Sequence, residues 1–356
     1  MDMKIKYLDC FSWAGWFHLA LEQSIWKENV DCIGYSEIDK FAKQVYNERF
    51  PNSKDLWSIT ELDIANLEDF DLLTWWFPCQ DVSVAWKQNL DGGRTVLVEY
   101  LLKILEEKKP KYFVFENVKG LMSSKFEKFR ESILERMRVA WYEVTYKVLN
   151  TKDFWLPQNR ERIFIVWTLY KTLEDKVYNF FNFPRWQELT TFLKDILEDK
   201  VDEKYYYKSD LYEKLVEEDN KVTDFPKHTY KVNISGHDIL KRAYSKNWIS
   251  PTLNSCGWWN RQSKVVLNIH PSWKWMNWNV YRTNTESPTL TTNKWEWIKI
   301  LDDVRIRKLT PTEYERLQWF PDWWSTDYVS DSQTYKQMWN AISVPVVKSI
   351  FDNLLK

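Results

Sequence analysis

The sequence predicts an α/β fold: one large sheet with helices on both faces, and a smaller unit following it. Three observations predict this. Short apolar runs alternate with amphipathic stretches from Lys4 to Leu169, the alternation fades after Leu169, and charge segregates in the segment beyond. Strand–helix alternation at this spacing implies an α/β sheet covered on both faces. Strands are expected at residues 5–11, 30–36, 70–74, 112–115, 143–149 and 163–168, and helices at 19–23, 40–48, 96–108 and 125–139. Ligands of such sheets bind at the carboxyl ends of the strands, so the residues following each strand are the candidates for chemistry.

The first strand runs into Asp9-Cys10-Phe11-Ser12-Trp13-Ala14-Gly15-Trp16-Phe17, and a helix begins there. A turn of small residues at this place lets backbone approach a cofactor; with one glycine the signal is weak alone. The second strand ends in Ser36-Glu37-Ile38-Asp39, with Glu37 22 residues after Gly15. That spacing suits an acid that binds ribose hydroxyls, although a surface carboxylate or helix cap reads the same way. The third strand leads into Phe77-Pro78-Cys79-Gln80. A cysteine there is either a nucleophile or a small buried hydrophobe. The fourth ends in Phe115-Glu116-Asn117-Val118, and Gln158-Asn159-Arg160-Glu161-Arg162 enters the last strand. Nucleophile, carboxyl and two arginines on one sheet edge make a reaction site.

Composition bounds the rest. A chain of 356 residues, 44% hydrophobic, accommodates two domains or one large one. The net charge of −1 hides an acidic stretch at 174–219, with 13 acidic against 7 basic residues, and a basic one at 227–308, with 14 against 5. The basic stretch is a solvated surface or a phosphate-contacting face. No apolar run is long enough to span a bilayer, and residues 1–6 lack a signal-peptide pattern, so a cytoplasmic protein is expected. Cys10, Cys32, Cys79 and Cys256 form no C-x-x-C pair; no metal site or disulfide framework is expected. Seven glycines and 23 tryptophans are abnormal, since usage of about 7% would give roughly 25 glycines. Together the two types number 30, an ordinary glycine allowance. An aromatic-rich carbohydrate or nucleic-acid binder is the other reading.

These blocks resemble the DNA cytosine-C5 methyltransferase family in order and spacing, together with Arg307-Lys308-Leu309-Thr310-Pro311, Glu315-Arg316-Leu317-Gln318 and Tyr335-Lys336-Gln337-Met338-Trp339-Asn340. The resemblance covers nearly the whole chain except roughly residues 173–300. It implies an S-adenosylmethionine-dependent, Rossmann-like sheet with a smaller target-recognition domain: residues 1–172 and 326–356 catalytic, 173–325 for recognition. Cys79 would attack the base, with Glu116, Arg160 and Arg162 as its catalytic partners. S-adenosyl-L-methionine would be held at Phe11, Trp13, Ala14, Gly15, Trp16, Glu37, Ile38, Ser58, Pro78, Leu97 and Asn340, and DNA at Gln80, Ser83 and Arg94. Double-stranded DNA is the implied partner of a monomer, with a restriction endonuclease as a functional companion. Three positions depart from the family pattern: Ile38 where an aromatic often stacks on adenine, Ser58 where an Asp is usual, and Thr95 after the loop arginine. The rivals are a tRNA cytosine-C5 methyltransferase on the same motifs, a nicotinamide oxidoreductase and a catalytically dead DNA-binding module.

The resemblance also bears on the tryptophans. The family has glycine at Trp13 or its neighbour and at Trp16, Trp76, Trp319 and Trp339, and glycine suits Trp86, Trp155, Trp167 and Trp323. This predicts a source that reads UGA as glycine and a printed chain in which those codons are rendered as tryptophan. A chain made literally as printed is expected to fold poorly or lack activity.

Overall fold

Strands whose apolar residues do not alternate with polar ones must be covered on both faces. The computed structural model describes residues 4–76, 95–170, 181–206, 249–250 and 305–355, with short strand segments between 216 and 267. Six strands form its main sheet: β1 (Ile5–Cys10), β2 (Val30–Ser36), β3 (Leu72–Trp76), β4 (Tyr112–Val118), β5 (Tyr142–Asn150) and β6 (Glu161–Leu169). Their order is β2-β1-β3-β4-β6-β5. The pairs β1–β2, β1–β3 and β3–β4 are parallel, while β6 runs antiparallel to β4 and β5. The seven helices of the described residues are α1 (Trp16–Ile25), α2 (Lys40–Arg49), α3 (Thr95–Lys108), α4 (Glu127–Val139), α5 (Pro311–Arg316), α6 (Asp331–Asn340) and α7 (Val344–Leu354). Tyr7, Leu72 and Val114 pack on the side of α1, α2 and α7. Leu8, Leu73 and Phe113 pack on the side of α3 and α4. The expected α/β sheet is therefore present.

Three boundaries differ from expectation. β3 ends at Trp76, because Trp76 still pairs with Glu116. β4 continues to Val118, so Glu116 lies inside a strand, between Trp76 and Phe164. α1 begins at Trp16, directly after Gly15 at φ 83°. A Cβ on Gly15 would meet Phe50 Cε2 at 2.3 Å, so this turn needs glycine for both conformation and space.

A second sheet has the order β11-β10-β9-β8-β7, from β7 (Val216–Glu217), β8 (Thr229–Lys231), β9 (Arg242–Ser245), β10 (Lys264–Leu267) and β11 (Arg305–Lys308). A buried bidentate pair, Arg307 to Glu313 at 2.6 Å for both bonds, ties β11 to α5. The sequence-based division puts residues 309–324 with the recognition unit, yet Leu309, Tyr314, Leu317, Phe320 and Trp324 lie in one core cluster with Tyr7 and Phe17.

The backbone singles out a set of tryptophans. Nine non-glycine residues among those described have left-handed φ, and seven are Trp13, Trp26, Trp57, Trp141, Trp155, Trp319 and Trp323. L-residues avoid this region because Cβ crowds the following carbonyl. At roughly 1–2 kcal/mol each, seven such residues cost about 7–14 kcal/mol, as much as the whole stability of about 5–15 kcal/mol that a folded domain keeps.

Candidate active site

Among the described residues, Glu37, Glu116, Arg160 and Arg162 converge on one edge. β1, β2, β3 and β4 end there, and the antiparallel β6 begins there. Order reverses between β1 and β3, the switch point where open α/β sheets leave a crevice.

Glu116 and Arg162 occupy the β4–β6 side. Glu116 is wholly buried, and Arg162 Nε lies 3.1 Å from its Oε1. Besides Arg162, the Trp76 side chain reaches the carboxyl, although neither Glu116 oxygen meets strict hydrogen-bond geometry among the described residues. Burial pushes the carboxyl up to about 7, opposed by the charges of Arg162 and Arg160. The carboxyl therefore keeps its proton to higher pH than a free glutamate does. Arg160 is also buried but looks elsewhere: its Nη2 donates to the carbonyls of Trp339 at 3.1 Å and Ala341 at 2.7 Å. The two arginines therefore divide their work. Arg162 faces the acid, and Arg160 clamps the junction of α6 and α7 against β6. Asn340, between those two carbonyls, bonds back to Lys336 O at 3.0 Å.

Beneath the clamp runs a polar relay that joins two of the motif blocks, through Gln158 and Gln318, to Thr151 and Ser343 outside them. Thr151 and Ser343 hydroxyls meet at 2.7 Å, and Ser343 Oγ donates to Gln318 Oε1 at 2.8 Å. Gln318 Nε2 reaches Met338 O at 3.2 Å and Gln158 Oε1 at 3.4 Å. Three distant sequence blocks are thus fixed to one another.

The β1–β3 side holds the first turn. Glu37 spans it: Oε2 accepts Trp13 N–H at 3.0 Å, and Oε1 accepts Ile38 and Asp39 N–H at 2.8 Å each. Asp39 caps α2 through Phe41 and Ala42 N–H and pairs with Lys336 Nζ at 2.7 Å. Under the turn, Asp9 is wholly buried and accepts from Thr74 Oγ1 at 2.8 Å. Burial raises its carboxyl to about 7. Asp9 was legible only as the start of the turn; nothing in its neighbours announced this partner. Phe11 packs on Trp75, Ile38 is 65% exposed, and Leu97 is half-buried on the α3 side. Ser58 caps the short turn Ile59–Glu61 through Thr60 N–H. Pro78, Cys79, Gln80, Ser83 and Arg94 lie outside the described residues; Cys79 follows Trp76 by three positions in sequence.

The model of the C-5 cytosine-specific DNA methylase family matches residues 5–356. The chain belongs to this family. It is 31% identical to the orphan methyltransferase M.SPBetaI of Bacillus phage SPbeta, over 99% of this chain and 98% of the phage protein. It is also 31% identical to the type II methyltransferase M.NlaX of Neisseria lactamica, over 98% of this chain and 96% of that one. Among solved structures, an Entamoeba histolytica methyltransferase, EhMeth, superposes with a TM-score of 0.70 at 18% identity, covering 99% of this chain and 98% of that one. Dnmt2 of S. pombe superposes at 0.64 with 19% identity, over 99% and 98%. These likenesses carry the methyltransferase fold, and the family makes the chain a DNA (cytosine-5)-methyltransferase by class.

Members of such a family use S-adenosylmethionine, and the edge can be tested for fit. Gly15, the backbone of the turn and Glu37 suit a nucleoside with a sulfonium tail. The side chains do not. Trp13, Trp16 and Trp76 are buried together at the switch point, with ring centroids 5.6 to 6.0 Å apart. Three indoles fill the crevice between β1 and β3.

Proposed function

We propose that this methyltransferase modifies C5 of cytosine in a specific double-stranded DNA sequence, through base flipping and a covalent adduct on Cys79. The observation carrying the reading is Glu116: a buried carboxyl with a raised pKa, no well-directed hydrogen bond and an arginine beside it. A group left so needs a ligand to complete it.

C5 of cytosine is a weak nucleophile. A thiolate from Cys79 adds to C6, and the ring's electron pair moves toward C5. Protonated Glu116 donates to the ring nitrogen that gains charge, and Arg162 holds the acid in place. S-adenosylmethionine supplies the methyl group when bound. Loss of the C5 proton then restores the double bond and expels the Cys79 sulfur. The carbon is out of reach within a stacked duplex, so the base must leave the helix. Gln80, Ser83 and Arg94 are the proposed contacts to the DNA, and the basic stretch 227–308 is its phosphate face. Glu37 is the proposed ribose ligand. The working form is a monomer in the cytoplasm, and a companion endonuclease would share its sequence. Glycine at the family's glycine positions completes the reading.

A duplex with 5-fluorocytosine at the target decides it, because fluorine cannot leave as a proton and the adduct persists. Protein from the source cell should trap such DNA, and Cys79→Ser should not. A Cys79→Ser chain that still methylates rejects the adduct. Labelling of tRNA in place of DNA moves the reading to its rival.

A further inference from the structure

The misfit of the crevice has one cause that also explains the backbone. Trp319 occupies the left-handed position of a helix-terminating motif: its N–H reaches Arg316 O and the next N–H, of Phe320, reaches Glu315 O, both at 3.0 Å. Glycine is the usual residue there. Trp26 follows α1 at φ 69° and ψ 144°, outside the left-handed helical well and in a region populated essentially by glycine. Trp141 follows α4 at φ 70°. Trp155 follows the short turn Thr151–Phe154 likewise. Six of the seven left-handed tryptophans are exposed, from 40% to 71%, so their indoles gain little against the strain; Trp57 carries Lys43 Nζ 3.8 Å from its ring centre, a cation–π contact that is weak at an exposed site. Trp13, the seventh, points into the crevice with Trp16 and Trp76. Trp16 and Trp167 bury indole N–H groups that have no acceptor among the described residues, although a buried indole normally finds one.

Trp324 is the opposite case. Its φ is unremarkable, its Nε1 donates to Ala14 O at 2.8 Å, and its ring packs on Phe50 and Phe320 under the Arg49 guanidinium. This is an indole that the structure uses.

We infer that the tryptophans are two populations: glycine in the cell's own protein at the seven left-handed positions and at Trp16, Trp76 and Trp167, and true tryptophan at Trp324. The crevice of the printed chain is then closed by translation and open in the native protein. The inference rests on the methyltransferase reading for the ligand that enters and for Trp76, whose side chain bonds Glu116 and is assigned only by its place in the crevice; the other residue assignments do not depend on it. The source cell must charge a UGA-reading tRNA with glycine.

The coding DNA and the mass of native peptides test the assignments without any assay of methylation. UGA is expected at the left-handed positions with glycine in the peptides, and UGG at Trp324 with tryptophan. UGG at Trp141 and Trp319, or tryptophan in their native peptides, overturns the inference. Calorimetry with S-adenosylhomocysteine tests the crevice. The full chain with glycine at the ten assigned positions should bind, and the chain with every exchange except Trp16→Gly should bind roughly tenfold or more weakly. Equal affinity overturns the crevice assignment. Restored binding without methyl transfer to DNA would sink the proposed substrate and leave the inference standing. Trp324→Gly in the restored chain should lower the melting temperature; an unchanged melt removes Trp324 from the true tryptophans.

Discussion

The two halves of the sheet edge are built on opposite principles. The β4–β6 half works through side chains that are present: Glu116 stands beside Arg162, and Arg160 fastens the α6–α7 junction behind them. The β1–β3 half works through side chains that are missing, because a cofactor can lie against backbone only where little projects from it. A wrong translation leaves the first kind of site whole and fills the second. The printed chain shows this division, with an acid–arginine pair at 3.1 Å beside a crevice holding three indoles.

The comparison can be broken most directly at Glu116. In the glycine-restored chain, Glu116→Gln should slow single-turnover methyl transfer roughly 10²–10⁴-fold, as loss of a positioned proton donor does. The sign of its pH dependence follows from the raised pKa. Below about 7 the carboxyl carries the proton it donates, and above about 7 that proton is lost. The rate therefore falls as pH rises through the Glu116 pKa, which burial holds above the ordinary carboxylate range, against the rising supply of Cys79 thiolate, and Glu116→Gln should remove the falling limb. Arg162→Ala should cost less, roughly ten- to hundredfold, the worth of a charge-assisted bond. Arg162 lowers the Glu116 pKa, so its removal should move the falling limb to higher pH. A limb that stays in place would mean another group sets it. The smallest effect belongs beneath the clamp. Ser343→Ala breaks the link between Thr151 and Gln318 and should cost about 1–3 kcal/mol in urea unfolding, with the pH limb unmoved.

Much of the edge was readable because side-chain identity repeats at strand ends. Glu37 and Arg162 lie at strand ends and Glu116 two residues inside one, and the sheet brings all three to the same edge. Arg160 was found too, but not its partners. It holds two backbone carbonyls about 180 positions away, and a carbonyl has no letter in the sequence. The same reason hides Trp324, whose acceptor is Ala14 O. Asp9 and Thr74 are ordinary residues until β1 and β3 pair and set them 2.8 Å apart. Strand ends were misplaced where pairing outlasts the apolar run, as at Glu116, because a ladder bond tolerates a polar side chain.

The Arg160 clamp sets an order of events during synthesis. Its acceptors lie at residues 339 and 341, and α7 closes on α1 through Phe351 and Phe17. A growing chain that has made the acid and both arginines can already pair β4 with β6, but Arg160 gains its carbonyls only after some 180 further residues have been added.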